Sequence, residues 1–158
     1  SELDRGAPLE YEDVDISEIA GNCVSMLDFH AKENQVKLHF DGEKTIVRGN
    51  KNKLEEVVYN LCDNAIRYNK AGGEVWVTVK NSPEGKILSV RDNGIGISKE
   101  NQKRIFERFY RVDKSRSKKT GGTGLGLAIV KHIIEQHNFK IEVISDENIG
   151  TTINVIMK

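Results

Sequence analysis

Apolar positions along the chain follow two periods, and the switches between them divide it into elements. Glu10 to Val14 reads as a short strand. Asp15 then stands where a helix N-cap belongs, with Glu18 three residues on as in a capping box. Ile16, Ile19, Ala20, Cys23, Leu27, His30 and Ala31 follow at helical spacing. Val36 to Phe40 alternates as a strand, Asp41-Gly-Glu43 turns the chain, and Thr45 to Val47 returns as a second strand. Lys53 to Tyr68 is helical, with Leu54, Val57, Val58, Leu61 and Ala65 on one arc and Gly72-Gly73 as its stop. Val75, Val77 and Val79 alternate with Trp76 and Thr78, and a turn over Asn81 to Gly85 leads into a partner strand, Ile87 to Arg91. A short amphipathic segment after Ser98, the pair Phe106 and Phe109, and a polar loop come next. Leu125 to His137 is again helical, and Phe139, Ile141, Val143 and then Ile153, Val155, Met157 form two closing strands. This order predicts an α/β sandwich: a mixed, mostly antiparallel sheet with helices on one face.

At 158 residues the chain is long enough for one domain with its own core. Its 24 basic and 24 acidic residues balance, which argues against a general nucleic-acid binder or a surface drawn to membranes. Cys23 and Cys62 both fall in helical patterns and read as reduced, packed thiols rather than a disulfide framework or a metal cluster. There is no apolar run long enough to span a bilayer, and no signal peptide. Ser1 in place of an initiator Met reads as a piece cut from something longer.

Three stretches carry chemistry. In the helix over Lys53 to Tyr68, the residues Glu56, Asn60, Asp63, Asn64 and Arg67 share a second arc roughly 100° wide. Asn competes for backbone hydrogen bonds and is a poor helix-interior residue, so two of them one turn apart need a reason. A solvated face is the ordinary reading of such an arc. Downstream, Asp92-Asn-Gly-Ile-Gly-Ile97 follows a strand on which Leu88, Val90 and Asp92 share a face. A carboxylate emerging among apolar side chains needs a donor, and the exocyclic amine of an adenine is one candidate. Gly94 and Gly96 would leave room for a flat ring, although Asp-Asn-Gly is also a common turn signal. Lastly, Thr120-Gly-Gly-Thr-Gly-Leu-Gly-Leu127 opens the last long helix, and glycine-freed amides at a helix start form an anion site. It is neither a Walker A loop nor a Rossmann fingerprint, since no Lys-Ser or Lys-Thr closes it and Ile129 replaces the third glycine. The preceding run Arg111 to Lys119 holds five cations and one acid and reads as a mobile lid over a polyphosphate.

Together these stretches resemble the catalytic ATP-binding domain of bacterial sensor histidine kinases, within the GHKL ATPase superfamily. Asn60 to Tyr68 is similar to the N box, Asp92 to Gly96 to the G1 box, Phe106 to Tyr110 to the F box, and Gly122 to Gly126 to the G2 box. The resemblance covers nearly the whole chain. It implies a Bergerat-type sandwich, with three main helices on one face and a flexible ATP lid. Residues 1–9 would be a linker from a missing dimerisation domain, and residues 10–158 the catalytic domain. It implies ATP and Mg²⁺ as ligands, with Asn60 giving its amide oxygen to the metal and Asn64 reaching the phosphates. Asp92 would accept from the adenine amine, Tyr68 would pack on or beside the ring, and Gly94, Gly96 and Ile97 would line it. Arg67 would face the phosphates with some of Arg111, Lys114 and Arg116, and Gly122, Thr123, Gly124, Leu125 and Gly126 would cradle them.

Members of that family phosphorylate a histidine on a separate helical hairpin, and none of the four histidines here has the flanking residues of such an acceptor. His30 instead reads as a satisfied boundary residue. The resemblance therefore implies transfer of the γ-phosphate to a neighbouring dimerisation domain and thence to a response regulator. It implies a cytoplasmic domain, monomeric in isolation, contacting neither nucleic acid nor membrane. A GHKL ATPase or an anti-sigma-type serine kinase is the alternative. Glu56, one turn before Asn60, should project toward metal and γ-phosphate, either as a general base or as a solvated helix acid.

Overall fold

A computed structural model describes residues 8–107 and 126–157. The described chain runs β1 (Glu12–Asp15), α1 (Ile16–Glu33), β2 (Lys37–Gly42), β3 (Ile46–Gly49), α2 (Lys51–Arg67), β4 (Glu74–Ser82), β5 (Gly85–Asp92), α3 (Lys99–Gln102), α4 (Gly126–Gln136), β6 (Lys140–Asp146) and β7 (Gly150–Met157). Five strands form one sheet in the order β2-β4-β5-β7-β6, in which only the β2–β4 pair is parallel. This is the mixed, mostly antiparallel α/β sandwich that the hydrophobic pattern predicts.

Alternation builds the core. Val75, Val77 and Val79 of β4, Leu88 and Val90 of β5, and Ile153, Val155 and Met157 of β7 are all buried on one sheet face. Against them pack Ile16, Ile19, Ala20, Cys23 and Leu27 of α1, Leu54, Val57, Val58, Leu61 and Ala65 of α2, and Val130, Ile133 and Ile134 of α4. The opposite face is open. There His39, Trp76 and Arg91 lie side by side across β2, β4 and β5, with the Arg91 guanidinium 4.4 Å above the Trp76 ring.

One pairing differs from expectation. The chain does not turn back at Asp41-Gly-Glu43: β2 runs on through Gly42 and pairs with β4, while β3 pairs antiparallel with β1 in a separate two-stranded sheet. Asp15 explains the choice. Its Oδ1 accepts from the Ser17 N–H at 3.0 Å, capping α1, and from the Thr45 N–H at 3.0 Å, which ties the approach to β3 beside β1. Helix α2 likewise starts earlier than its apolar stripe suggests, because Asn50 Oδ1 accepts from the Lys53 N–H at 2.9 Å.

His137 locks α4 to α2. Its Nε2 accepts from the Asn50 N–H at 3.1 Å, so Nδ1 carries the proton and donates to Ile133 O at 2.8 Å. Tyr11 and Phe139 flank the ring, and burial holds its pKa below the usual 6.5. Protonation would destroy the acceptor at Nε2. The unfolded chain takes up this proton first, so the stability held by His137 is complete above pH ~6.5 and drains away as pH falls below it. His137→Phe keeps a ring but strands the Asn50 N–H, and should cost about 1–3 kcal/mol at pH 7.5. In urea titrations the deficit should shrink by pH 5; a pH-independent difference would rule out a neutral imidazole as the linking group.

Candidate functional site

The polar arc of α2 lies against the start of α4. Asn60 Nδ2 donates to Glu56 O at 2.8 Å, which turns Oδ1 of the same amide outward. A Cβ added to Gly126 would sit 3.1 Å from Asn60 Oδ1 and 3.8 Å from Asn64 Nδ2, so the two amides and the first residue of α4 share one small space. That position is tight for anything larger than glycine. Arg67 is on the same arc, and its Nε donates to Asp63 Oδ2 at 2.8 Å.

Glu56 is engaged from the other side. Its Oε1 lies 3.3 Å from Lys53 Nζ, and its side chain retains 42% of its exposure, so water reaches the carboxylate. It lines a groove between α1 and α2, alongside Ile19, Cys23, Tyr59 and Asn60.

Asp92 closes β5. Its cross-strand partners are Val75 of β4 and Thr151 of β7, both buried. One carboxylate oxygen accepts from the Gly94 N–H at 2.9 Å, and the Thr151 backbone N–H also donates to the carboxylate. These two bonds favour the ion, but burial outweighs them and pushes the pKa up from 3.8 to about 6. Asp92 thus sits among apolar side chains with part of its acceptor capacity beyond these two donors.

The loop after Asp92 is fixed by close backbone approach. A Cβ at Gly94 would collide with the Tyr68 carbonyl oxygen, and one at Gly96 with the Asp146 carbonyl oxygen. Gly96 also has φ +69°, the left-handed region where side chains are strained. Ile95 N–H donates to Tyr68 O at 3.2 Å, and Ile97 N–H to Ser145 Oγ at 2.8 Å. Tyr68 caps α2 and is half-buried beside this loop. The end of α2, the end of β5 and the β6–β7 turn therefore meet at one place, with Asp92 at its centre.

Asp92, Gly94, Gly96, Ile97 and Tyr68 come together in this loop cluster, and Asn60, Asn64, Arg67 and Gly126 along α2 and α4. Arg111, Lys114, Arg116, Gly122, Thr123, Gly124 and Leu125, and with them the expected lid, lie outside the described residues. Phe106 is half-buried, with Lys131 Nζ of α4 5.3 Å from its ring centroid; Phe109 lies outside the described residues. Among the described residues no group of His, Cys, Asp and Glu could hold a metal by itself, and no helix is long and apolar enough to cross a membrane.

Sequence reasoning passed over several groups that shape the site. Thr151 is one, since only strand register puts its N–H on Asp92. Asn69 is another: it is buried, donates to Glu74 O at 3.0 Å, and accepts from the Lys70 N–H at 2.8 Å, fixing the turn that carries Tyr68. A third is Ser145, whose hydroxyl accepts from Ile97 and lies 2.7 Å from Thr151 Oγ1.

The model of the histidine kinase-, DNA gyrase B- and HSP90-like ATPases matches residues 49–158, which hold α2, β4, β5, α4 and the β6–β7 turn. The chain belongs to this ATPase family. Among its relatives within the family, the sensor-like histidine kinase SenX3 of Mycolicibacterium smegmatis is 41% identical over 140 residues, 88% of this chain and 36% of that protein. The signal transduction histidine-protein kinase ArlS of Staphylococcus haemolyticus is 35% identical over 150 residues, 95% of this chain and 33% of that protein. The chain thus spans about one third of the curated relatives it matches. In structure this ATPase domain resembles the mycobacterial sensor histidine kinase MprB, with a TM-score of 0.82 at 28% identity, covering 92% of this chain and 97% of that one. The catalytic domain of the histidine kinase ThkA shares the fold, with a TM-score of 0.81 at 24% identity over 94% of this chain and 95% of that one.

The raised pKa of Asp92 has a direct consequence for stability. Above pH ~6 the folded domain carries a charge its surroundings disfavour; as pH falls from about 6 toward 3.8 that penalty is relieved. Asp92→Asn removes the charge and keeps an oxygen for the Gly94 N–H. The nucleotide-free variant should be more stable than the parent at pH 7.5 by about 1–2 kcal/mol, a few degrees in Tm, because water still reaches part of the carboxylate. The gain should vanish by pH 4. A variant less stable than its parent at pH 7.5 would contradict the account of Asp92.

Proposed function

We propose that this chain binds Mg-ATP and presents the γ-phosphate to a histidine on a neighbouring dimerisation domain, the catalytic step of a two-component sensor kinase. The observation that carries the reading is Asp92: a carboxylate held among apolar residues, with acceptor capacity to spare, beside a loop that Gly94 and Gly96 fix by close approach to the Tyr68 and Asp146 carbonyls rather than by leaving open room for a ring. An adenine amine supplies the donor this site calls for. Asn60, Asn64, Arg67 and the start of α4 then line the path on which the phosphates would run, where amides, a guanidinium and a helix start all suit anions.

The donor set also fits Mg²⁺. With Nδ2 of Asn60 committed to Glu56 O, its Oδ1 is a neutral hard oxygen facing α4. Magnesium keeps most of its waters and takes few protein ligands beside phosphate, so one amide oxygen suffices. When bound, it would neutralise charge on the phosphates. The chain's own contribution is positioning: Asp92 fixes the base, Tyr68 flanks it, and Arg67 and Asn64 orient the phosphates.

In this reading residues 1–9 link to the dimerisation domain, residues 10–158 form the catalytic unit, and the phosphoryl group passes on from the histidine to a response regulator. The unit works in the cytoplasm and is monomeric when isolated. Glu56 adds a second activity. Solvent-accessible and one turn from Asn60, it could take a proton from an attacking water, with Lys53 Nζ 3.3 Å from its Oε1.

One assay tests both activities. With γ-labelled ATP and Mg²⁺ the isolated chain should form no acid-labile phosphohistidine, and adding the cognate dimerisation domain in trans should produce it. The chain alone should release phosphate slowly, and Glu56→Gln should cut that release about 10²–10⁴-fold with ATP affinity nearly unchanged. Labelling of a histidine in the isolated chain would overturn the kinase reading, and undiminished hydrolysis by Glu56→Gln would make that residue structural.

A further inference from the structure

Both donors that hold the Asp92 carboxylate come from backbone beyond its own strand: the Gly94 N–H from the loop after β5, and the Thr151 N–H from β7. Where the carboxylate sits therefore depends on what fixes that loop against the β6–β7 pair. One side chain bonds to both. Gln102, at the end of α3, donates from Nε2 to Ile97 O at 2.8 Å and to Ser145 O at 3.0 Å. Two carbonyls face this end of the amide, so it is the nitrogen, and both of its hydrogens are spent. Ser98 brings it there: its hydroxyl caps α3, and its carbonyl accepts from the Gln102 N–H at 3.0 Å one turn on.

The clamp continues through Ser145, which pairs with Thr151 in the β6–β7 register. Its Oγ lies 3.0 Å from Gly150 O, and a carbonyl only accepts, so the serine proton goes there. The Ile97 N–H at 2.8 Å and the Thr151 hydroxyl at 2.7 Å then both donate to Ser145 Oγ. Ile97 is thus gripped at its N–H by Ser145 and at its C=O by Gln102, and Ser145 is tied in turn to Thr151. Such a chain of half-buried bonds is stiff, and removing one donor leaves its partners unpaired.

We propose that Gln102 is a positioning residue for Asp92: it clamps the 94–97 loop to β6, and so fixes the two N–H groups that set where the carboxylate presents its remaining acceptor capacity. This rests on the reading that Asp92 receives an adenine amine, and it deepens that reading. Gln102 acts through Ile97 and Ser145 rather than on the ligand. Its effect should therefore appear as base selectivity. A base with an amine opposite Asp92 gains from a well-placed acceptor, whereas hypoxanthine, with a carbonyl in place of that amine, does not.

The test compares the parent chain with Gln102→Met, which nearly keeps length and volume but loses both donors. Each is titrated by calorimetry with ADP and with IDP in the presence of Mg²⁺. The parent should bind ADP at least about tenfold more tightly than IDP. Gln102→Met should weaken ADP about 3–20-fold and IDP less than about twofold, so that selectivity falls. In an Asp92→Asn background the same substitution should change ADP by less than about twofold. Equal weakening of both nucleotides, unchanged ADP affinity, or losses that multiply in the double variant would overturn the positioning role while leaving nucleotide binding intact. A parent that binds neither nucleotide, or both alike, would overturn the functional reading of Asp92, and this inference with it. The parent also supplies a check that needs no variant to fold: its Gln102 side-chain amide protons should exchange slowly with water. Exchange as fast as in an exposed glutamine would exclude the clamp.

Discussion

A single carboxylate in the wrong surroundings organises the end of this domain where α2, β5 and the β6–β7 turn meet. Asp92 is the last residue of a central strand, and register alone places it between buried Val75 and buried Thr151. Two backbone N–H groups offset part of the cost of its charge, and burial still raises its pKa to about 6. Such a site is stable only because the rest of the sheet over-determines it. The same register that buries Val77, Leu88, Val90 and Ile153 leaves Asp92 no other place to go. The domain accepts a local penalty and gains an acceptor that is already desolvated when a donor arrives.

The asparagine end of the site depends on a different constraint, the angle and distance between α2 and α4. His137 holds the foot of α2 through Asn50 at the C-terminal end of α4, while at the other end Gly126 comes within a side chain's width of Asn60 and Asn64. Leu54, Leu61, Val130 and Ile134 fill the space between. A neutral, buried histidine at one end of a helix pair thus sets the clearance at the other. Packing, not local chemistry, decides whether the two asparagines and the helix start can share one ligand.

Much of this was legible in the sequence, and the reasons are local. The two arcs of α2 can be read directly, because helical spacing separates Leu54, Val57, Val58, Leu61 and Ala65 from Asn60, Asn64 and Arg67. The position of Asp92 among apolar neighbours follows from strand alternation with Leu88 and Val90. Strand partnership was not legible: Asp41-Gly-Glu43 carries turn residues, yet β2 continues through Gly42, since pairing with β4 and the Asp15–Thr45 bond override a weak turn signal. Nor could the sequence disclose contacts between residues far apart in the chain. The Asp63–His30 approach and the Thr151 N–H on Asp92 arise only when two elements dock. Even Lys53 and Glu56, three residues apart, form a pair whose charge bears on the role of Glu56 but whose geometry spacing alone does not fix.

The measurement that bears most directly on the central claim is the titration of the Asp92 carboxyl carbon by NMR, without nucleotide and saturated with ADP. The account predicts a midpoint near 6 in the free domain, because burial disfavours the ion. It predicts a lower midpoint with ADP, because an adenine amine would donate to the ionised form. A free-domain midpoint at the ordinary value near 3.8, or one that ADP leaves in place, would contradict it.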